Sequence, residues 1–454
     1  MWQRITSKFG NDTIDESPQG NRTMGFGKAI TMWLGANVVV TTILTGMLLV
    51  PDLPYLTALW IVLVGSVIGA VGLALVGNMG TRTGLPTMVL SRGAFGIRGS
   101  NLPAAVNLVI LVGWSWVQAL LAGMSMNYAI NASFGYSNLP LFTILCEVIV
   151  VLIVLRGHVG IERMEFLVAT SMLILAAVVF YKLFTEFSVG NLLTMEIDKR
   201  NGITAAIAFD IVVATAFSWY VLAADFNRHA KSQAGGMGGT MIGYVVATLV
   251  AMGLGATVSG FSILRGMEQT FDPTVLLSGF GFGIPAALVI FLSVMTTNVM
   301  AVYGAVMSYL NIRPQDAFWK PALAIGIITV LGALWTGILD QFQNFLLLIG
   351  TLFIPVFAIM LADYWIVKRG NYDAAEVLKR SGGEYWYTGG YNVAARIAYL
   401  IGAGAAFYWT QISPLAFGAT LPSFTLTFIL YLIVHALVNR FAQRSPAPTS
   451  SLRR

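Results

Sequence analysis

Residues 32–42 read Met32-Trp33-Leu34-Gly35-Ala36-Asn37-Val38-Val39-Val40-Thr41-Thr42. They sit inside an apolar run, Ala29–Val50, that is long enough to cross a bilayer at 1.5 Å rise per residue. Yet they place a glycine, an amide and a β-branched run near its centre. Such residues are weak helix formers. A backbone that unwinds at membrane depth must be buried in protein or line a polar cavity, because lipid offers its carbonyls no partner. The stretch therefore predicts a span broken near its midpoint, beside a site. A second run, Val213-Ala214-Thr215-Ala216-Phe217-Ser218-Trp219-Tyr220, again puts small and hydroxyl-bearing residues near mid-span and predicts a second break.

Around these two stretches the chain reads as an all-α polytopic membrane protein. Of its 454 residues 57% are apolar and 10% charged, against about 25% charged in a soluble domain. That excludes a soluble enzyme, a disordered chain and a nucleic-acid-binding protein. Twelve continuous apolar segments are long enough for helices: 29–50, 56–76, 102–130, 139–155, 165–184, 203–224, 240–261, 283–310, 319–339, 342–367, 393–412 and 423–438. Barrel strands would instead be short and alternating. With the N-terminus inside, 22 of the 26 Lys and Arg residues fall on the inner side, so both termini are expected in the cytoplasm. The same bias explains the net charge of +6 without an anionic partner. No cleavable signal is apparent in the polar first 24 residues.

The two predicted breaks centre near residues 39 and 215, and the polar centres of spans 3 and 8 fall near Trp114 and Thr296. These similar spacings, with spans 1 and 6 entering from opposite sides, predict two inverted five-helix repeats. The expected organisation is a tail at 1–24, repeats at 25–202 and 203–370, spans 11 and 12 within 371–440, and a tail at 441–454. Paired discontinuous helices point to a transport site, their half-helix ends facing substrate and ion.

Candidate site residues cluster at that depth. Trp114 and Gln118 are four apart on span 3 and share a face. An indole can stack on a flat ring, and an amide offers donors and an acceptor to ring edges. Equally, Trp114 can wedge between helices with Gln118 bonded to a carbonyl. On span 8, Ser293, Thr296 and Thr297 share a face. With the carbonyls of Gly35 and Val38 they would make an all-oxygen shell for a small hard cation such as Na⁺, although such hydroxyls also bond back to their own helix. Glu147 and Asp210 are acids within spans, and so candidate proton relays or helix pins. Asp225, Glu162, Arg163, Arg228 and Asp363, near cytoplasmic ends, suit anchors or gate pairs.

Enzyme chemistry finds little support. The lone Cys146 and the scattered His158, His229 and His435 make no metal spacing. Neither a zinc-hydrolase motif, a nucleophile elbow nor a Walker loop is present, and no cofactor is expected.

Several stretches resemble the nucleobase–cation–symport-1 family over roughly residues 25–440. They are Gly80-Thr81-Arg82-Thr83-Gly84-Leu85-Pro86, Leu90-Ser91-Arg92-Gly93-Ala94-Phe95-Gly96, Gly113-Trp114 with Gln118, and Ala224-Asp225-Phe226-Asn227-Arg228. The most specific is Ala362-Asp363-Tyr364-Trp365-Ile366-Val367-Lys368-Arg369-Gly370, followed by Tyr372 and Tyr385-Trp386-Tyr387. The resemblance implies a leucine-transporter-like fold with discontinuous spans 1 and 6. It also implies a plasma (cell inner) membrane symporter that imports cytosine, a purine or a related heterocycle with Na⁺ or H⁺. A thiamine-precursor, hydantoin or allantoin permease of the same fold is the alternative, with a channel or sensor further off. Trp114 would stack on the substrate beside Gln118. Phe217 is the expected facing ring on span 6, with Ser218 and Trp219 beside it and Ala216 at the strict register. The cation maps onto Gly35, Val38, Ser293, Thr296 and Thr297. A span 8 asparagine of some members aligns with Val302, so Asn298 or Asn37 is expected to substitute. The lipid bilayer and the small heterocycle are the expected partners, with no obligate protein partner.

Overall fold

The first span is interrupted where its sequence predicts. In this computed structural model, which describes residues 16–156, 161–199, 202–267 and 272–444, helix α1 (Phe26–Asn37) ends at Val38. Helix α2 (Val40–Leu49) starts after Val39, whose backbone is extended at φ −129°, ψ 160°. The two axes differ by 64°. The Val38 N–H still returns to the Leu34 carbonyl at 2.9 Å, and the ladder stops there. Among the described residues no backbone N–H donates to the Gly35 carbonyl. On the other side of the break, the Val39 carbonyl accepts from Thr42 and Ile43 and so starts the next helix.

The second expected break is absent, and the expectation is corrected. Helix α8 (Ala205–Asn227) runs as one α-helix. Its hydroxyls find partners within the helix: Thr215 donates to the Ile211 carbonyl at 2.9 Å and Ser218 to the Thr215 carbonyl at 2.6 Å. Packing supplies the rest. Helix α3 (Tyr55–Thr83) presents Gly65, Gly69 and Gly72 to α8. A Cβ on Gly69 would come within 2.3 Å of the Ala216 Cβ, and one on Gly72 within 2.0 Å of the Tyr220 hydroxyl. Close approach over a small-residue stripe stabilises a helix whatever its intrinsic propensity.

Further helices are α4 (Thr87–Phe95), α5 (Asn101–Phe134), α6 (Leu139–Val154) and α7 (Ile161–Glu186). After α8 come α9 (Gln233–Leu264), α10 (Gly283–Ile312), α11 (Trp319–Gly332), α12 (Phe342–Leu361), α13 (Val393–Phe407) and α14 (Thr420–Arg444). All twelve expected segments hold helix. Among the described residues seven helices are long and apolar enough to cross a bilayer, and the bent α1–α2 pair makes an eighth. The expectation of twelve exceeds that number by four: α6 and α11 are apolar but have only 16 and 14 residues, and α7 and α13 are also not among the eight. Most of the expected N-terminal tail, the last ten residues of the C-terminal one, His158 and the side chains of Glu162 and Arg163 lie outside the described residues.

Two packing groups position the site. Helices α1, α2, α3, α8 and α9 pack mainly on one another, as do α5, α6, α10 and α11. In the first group, Gly46 of α2 and Gly255 of α9 bring two backbones together: a Cβ on either would sit 2.0 Å from a carbonyl oxygen opposite. In the second, buried polar pairs register the helices, such as Asn107 donating to Ser308 at 2.7 Å.

At the end of the bundle rich in arginine, α4 is held by the chain on both sides. Asp225 accepts from the Thr87 N–H at 3.0 Å, and Tyr387 donates to the Gly93 carbonyl at 2.7 Å. Buried Arg92 donates to the Asn311 carbonyl at 3.1 Å. Burial and the nearby Arg380 charge lower its pKa to about 10. Asp363 accepts from Tyr372 at 2.6 Å and from Tyr431, which ties a π-helical turn (Ala362–Val367) to α14.

Candidate functional site: a cavity between two indoles

A cavity opens where the two packing groups meet. Helix α2 lines it with Thr41, Thr42 and Thr45, and α8 with Thr215, Ser218, Trp219 and Leu222. Across from these lie Leu111, Trp114 and Gln118 of α5, and Thr297, Met300 and Ala301 of α10. The space open to the centre of a water-sized sphere is about 50 Å³, several times the roughly 10–15 Å³ that one water needs. No lining residue is ionisable, so the site suits an uncharged guest.

Its aromatic walls are braced from behind. Trp114 meets Phe345 and Phe342 edge to face, at centroid distances of 5.2 and 6.1 Å. Gly113 makes room for this, because a Cβ there would lie 2.7 Å from the Phe345 ring. Trp219 meets Trp33 edge to face at 6.3 Å. Its indole N–H is taken by Asn37 at 3.0 Å.

Gln118 is the polar group that stands out. It is 3% exposed, and its Oε1 is buried without a hydrogen-bond partner. Leaving a buried acceptor unpaired costs about 1–3 kcal/mol, and Gln118 also lines the cavity, so its amide is the candidate polar contact for a guest there. Two indoles, from α5 and α8, and an amide with an unpaired oxygen line one uncharged cavity, a combination that can hold a flat ring with polar edges.

A family model for permeases of cytosine and purines, uracil, thiamine and allantoin matches residues 16–433. The chain belongs to that family. It is 26% identical over 424 residues to the purine-uracil permease NCS1 of Arabidopsis thaliana, covering 86% of this chain and 70% of that protein. It is 24% identical over 415 residues to the cytosine permease of Escherichia coli strain K12, covering 90% of each. The fold is similar to that of Mhp1, a nucleobase-cation-symport-1 family transporter solved in a closed conformation with bromovinylhydantoin bound. That match has a TM-score of 0.81 at 19% identity and covers 95% of this chain and 96% of that one.

Within this permease fold the expected site residues separate clearly. Trp114, Gln118, Ser218, Trp219 and Thr297 come together around the cavity. Phe217 does not, which corrects the expected facing ring. It stacks on Tyr220 at 4.4 Å and reaches Phe357 and Phe424 on the far side of α8. Thr215, Ser218, Trp219 and Leu222 follow i, i+3, i+4, i+7 and form the cavity face, which leaves position 217 pointing away. The spacing groups Trp219 with these residues, and packing decides that theirs is the face turned to the cavity.

Asn37 and Asn298 are likewise set back from the cavity. Asn37 is fully buried behind Trp219, and its amide donates to Thr248 at 2.7 Å. Asn298 donates to Glu147 at 2.6 Å, and Ser115 donates to the other carboxylate oxygen at 2.9 Å. Glu147 thus links α5, α6 and α10 without touching the cavity. Val302 is buried, and Met300 and Ala301 take the cavity face beside it. Asp210 accepts from the N–H groups of Ala419 and Thr420 at 2.6 and 2.9 Å, which caps the start of α14.

On α10 the hydroxyls of Thr296 and Thr297 donate to the Ser293 carbonyl at 3.0 and 2.8 Å. Each spends its hydrogen on its own helix and keeps lone pairs outward. Ser293 Oγ is buried without a partner. These three side-chain oxygens share a face of α10, and oxygen is the ligand type a small hard cation takes. Thr41, Thr42 and Thr45 are wall residues that the site prediction missed, although Thr41 and Thr42 close the very stretch that predicts the break.

Proposed function

We propose that this chain is a secondary active symporter that imports a nucleobase-like planar nitrogen heterocycle together with a cation. The observation that carries this is the uncharged cavity lined by Trp114, Trp219 and Gln118, whose amide oxygen is buried and unpaired. The ring lies between the two indoles with an edge on Gln118. Access changes by movement of the α1–α2–α3–α8–α9 group against the α5–α6–α10–α11 group, since the cavity walls are divided between them. The inverted pairing of 25–202 with 203–370 fits such a movement. The cation binds at Ser293, Thr296 and Thr297 with the carbonyls of Gly35 and Val38. It favours uptake to the extent that it binds one state better than the other. The protein lies in the plasma membrane with both termini in the cytoplasm.

Na⁺ is the preferred coupling ion, because the candidate ligands are all neutral oxygens. A proton is the second choice, with Glu147 its acceptor; Asp210 is committed to capping α14. The test is uptake of labelled cytosine, uracil, hypoxanthine, allantoin and hydantoin into proteoliposomes under an imposed Na⁺ or H⁺ gradient. Concentrative uptake of one of these under one gradient is expected. Equilibration without concentration would favour a channel.

A further inference from the structure

The polar groups of the cavity wall are unequally spent. Thr45 and Thr215 donate to the carbonyls of Thr41 and Ile211, Ser218 to that of Thr215, and Thr297 to that of Ser293. Thr42 donates to the Asn37 side-chain oxygen at 3.2 Å. Each of these five hydroxyls has one hydrogen, so each turns only acceptor capacity toward the cavity. The Trp219 N–H is withdrawn onto the same Asn37 oxygen. Asn37 itself is immobilised from behind: its amide donates to Thr248, which donates in turn to the Tyr244 carbonyl at 2.8 Å. One buried side chain therefore removes two donors from the wall and fixes an indole.

We propose that Asn37 is a positioning residue that makes this wall acceptor-rich, so that the cavity selects rings bringing several N–H donors of their own. The inference rests on the function proposed above and narrows its substrate class. The Gln118 amide and the Thr41 hydroxyl remain to donate to ring carbonyls. The hydroxyl oxygens of α2, α8 and α10 accept from ring or exocyclic N–H groups. A lactam or amino-substituted ring satisfies both sets. The same ring methylated on nitrogen leaves a wall oxygen unpaired, which is the costly half of a hydrogen-bond mismatch.

The test is isothermal titration of the purified full-length chain with uracil, cytosine and hydantoin, each beside its N-methyl derivatives and a C-methyl isomer. The C-methyl isomers (thymine, 5-methylcytosine, 5-methylhydantoin) control for bulk. For whichever parent ring binds, N-methylation is expected to weaken binding at least about tenfold more than C-methylation. Asn37→Ala, which frees the Trp219 and Thr42 donors, is expected to shrink that ratio at least about threefold. A merely structural asparagine would lower thermal stability and leave the ratio alone. Should Asn37→Ala not fold, Thr42→Val, which removes one wall acceptor, is expected to shrink the ratio in the same direction. N-methyl rings binding as well as their C-methyl isomers would overturn the inference while leaving the transport function intact. An unchanged ratio in the folded variants would overturn the role of Asn37. Failure of every ring to bind the wild type would reject the function itself.

Discussion

The indole N–H of Trp219 donates to the side-chain oxygen of Asn37 across 3.0 Å, and Asn37 is the last helical residue before the break in the first span. The aromatic wall of the cavity is thereby tied to the point where α1 gives way to α2. A change in the bend at Val38–Val39 must move Trp219 or break this bond. We predict that Trp219→Phe, which keeps a ring face but loses the N–H, weakens ligand binding only several-fold. Trp219→Ala, which removes the stacking face, should cost about 1–3 kcal/mol. Titration of both variants with the best-binding ring checks this, and equal losses would deny a stacking role.

The α3–α8 contact gives a prediction about stability. Gly69→Val would drive a side chain into Ala216, whose Cβ already lies 2.3 Å from where a glycine Cβ would be. We expect a loss of thermal stability in detergent of several degrees, in line with overpacking costs of about 1–3 kcal/mol. Val64→Ala, which trims a side chain exposed on the outside of the same helix, should change little by comparison.

Asp210 separates a pin from a proton relay. Its carboxylate caps the first turn of α14 through Ala419 and Thr420. Asp210→Ala should destabilise the protein by about 1–2 kcal/mol, while Asp210→Asn, which keeps one acceptor, should retain the coupling ion and its stoichiometry. Loss of coupling in Asp210→Asn at unchanged thermal stability would show that the acid moves a proton.

Glu147 distinguishes the two coupling ions. Asn298 has a buried Oδ1 without a partner, so turning its amide would let it accept from a glutamine at position 147. Glu147→Gln should therefore fold and keep Na⁺-driven uptake near wild-type rates, whereas Ser293→Ala with Thr297→Val should lose the Na⁺ dependence. The opposite pattern, with H⁺-driven uptake abolished by Glu147→Gln alone, would move coupling to the carboxyl group.

The sequence made the first break legible because Gly35, Asn37 and three consecutive valines weaken one short stretch of an otherwise apolar run. It misled at Thr215–Ser218, where equally weak helix formers sit against the glycine stripe of α3. Propensity is local, and the stripe lies some 150 residues away in the chain. Trp114 and Gln118 were readable from a four-residue spacing. The choice between Phe217 and Trp219 was not, because both are aromatic and only packing says which face of α8 looks inward. Asn37 and Asn298 were expected to meet the substrate and instead lie behind the cavity, because their partners, Trp219 and Glu147, come from distant helices that no spacing connects.

The central claim is that a flat ring sits between Trp114 and Trp219 against Gln118. Its most direct measurement is equilibrium dialysis of the best-binding radiolabelled heterocycle against wild type, Trp114→Ala, Gln118→Ala and Phe217→Leu. Trp114→Ala and Gln118→Ala should each weaken binding at least about tenfold, and Phe217→Leu should bind as wild type does. Normal binding by Trp114→Ala and Gln118→Ala, with binding lost in a folded Phe217→Leu, would contradict the account.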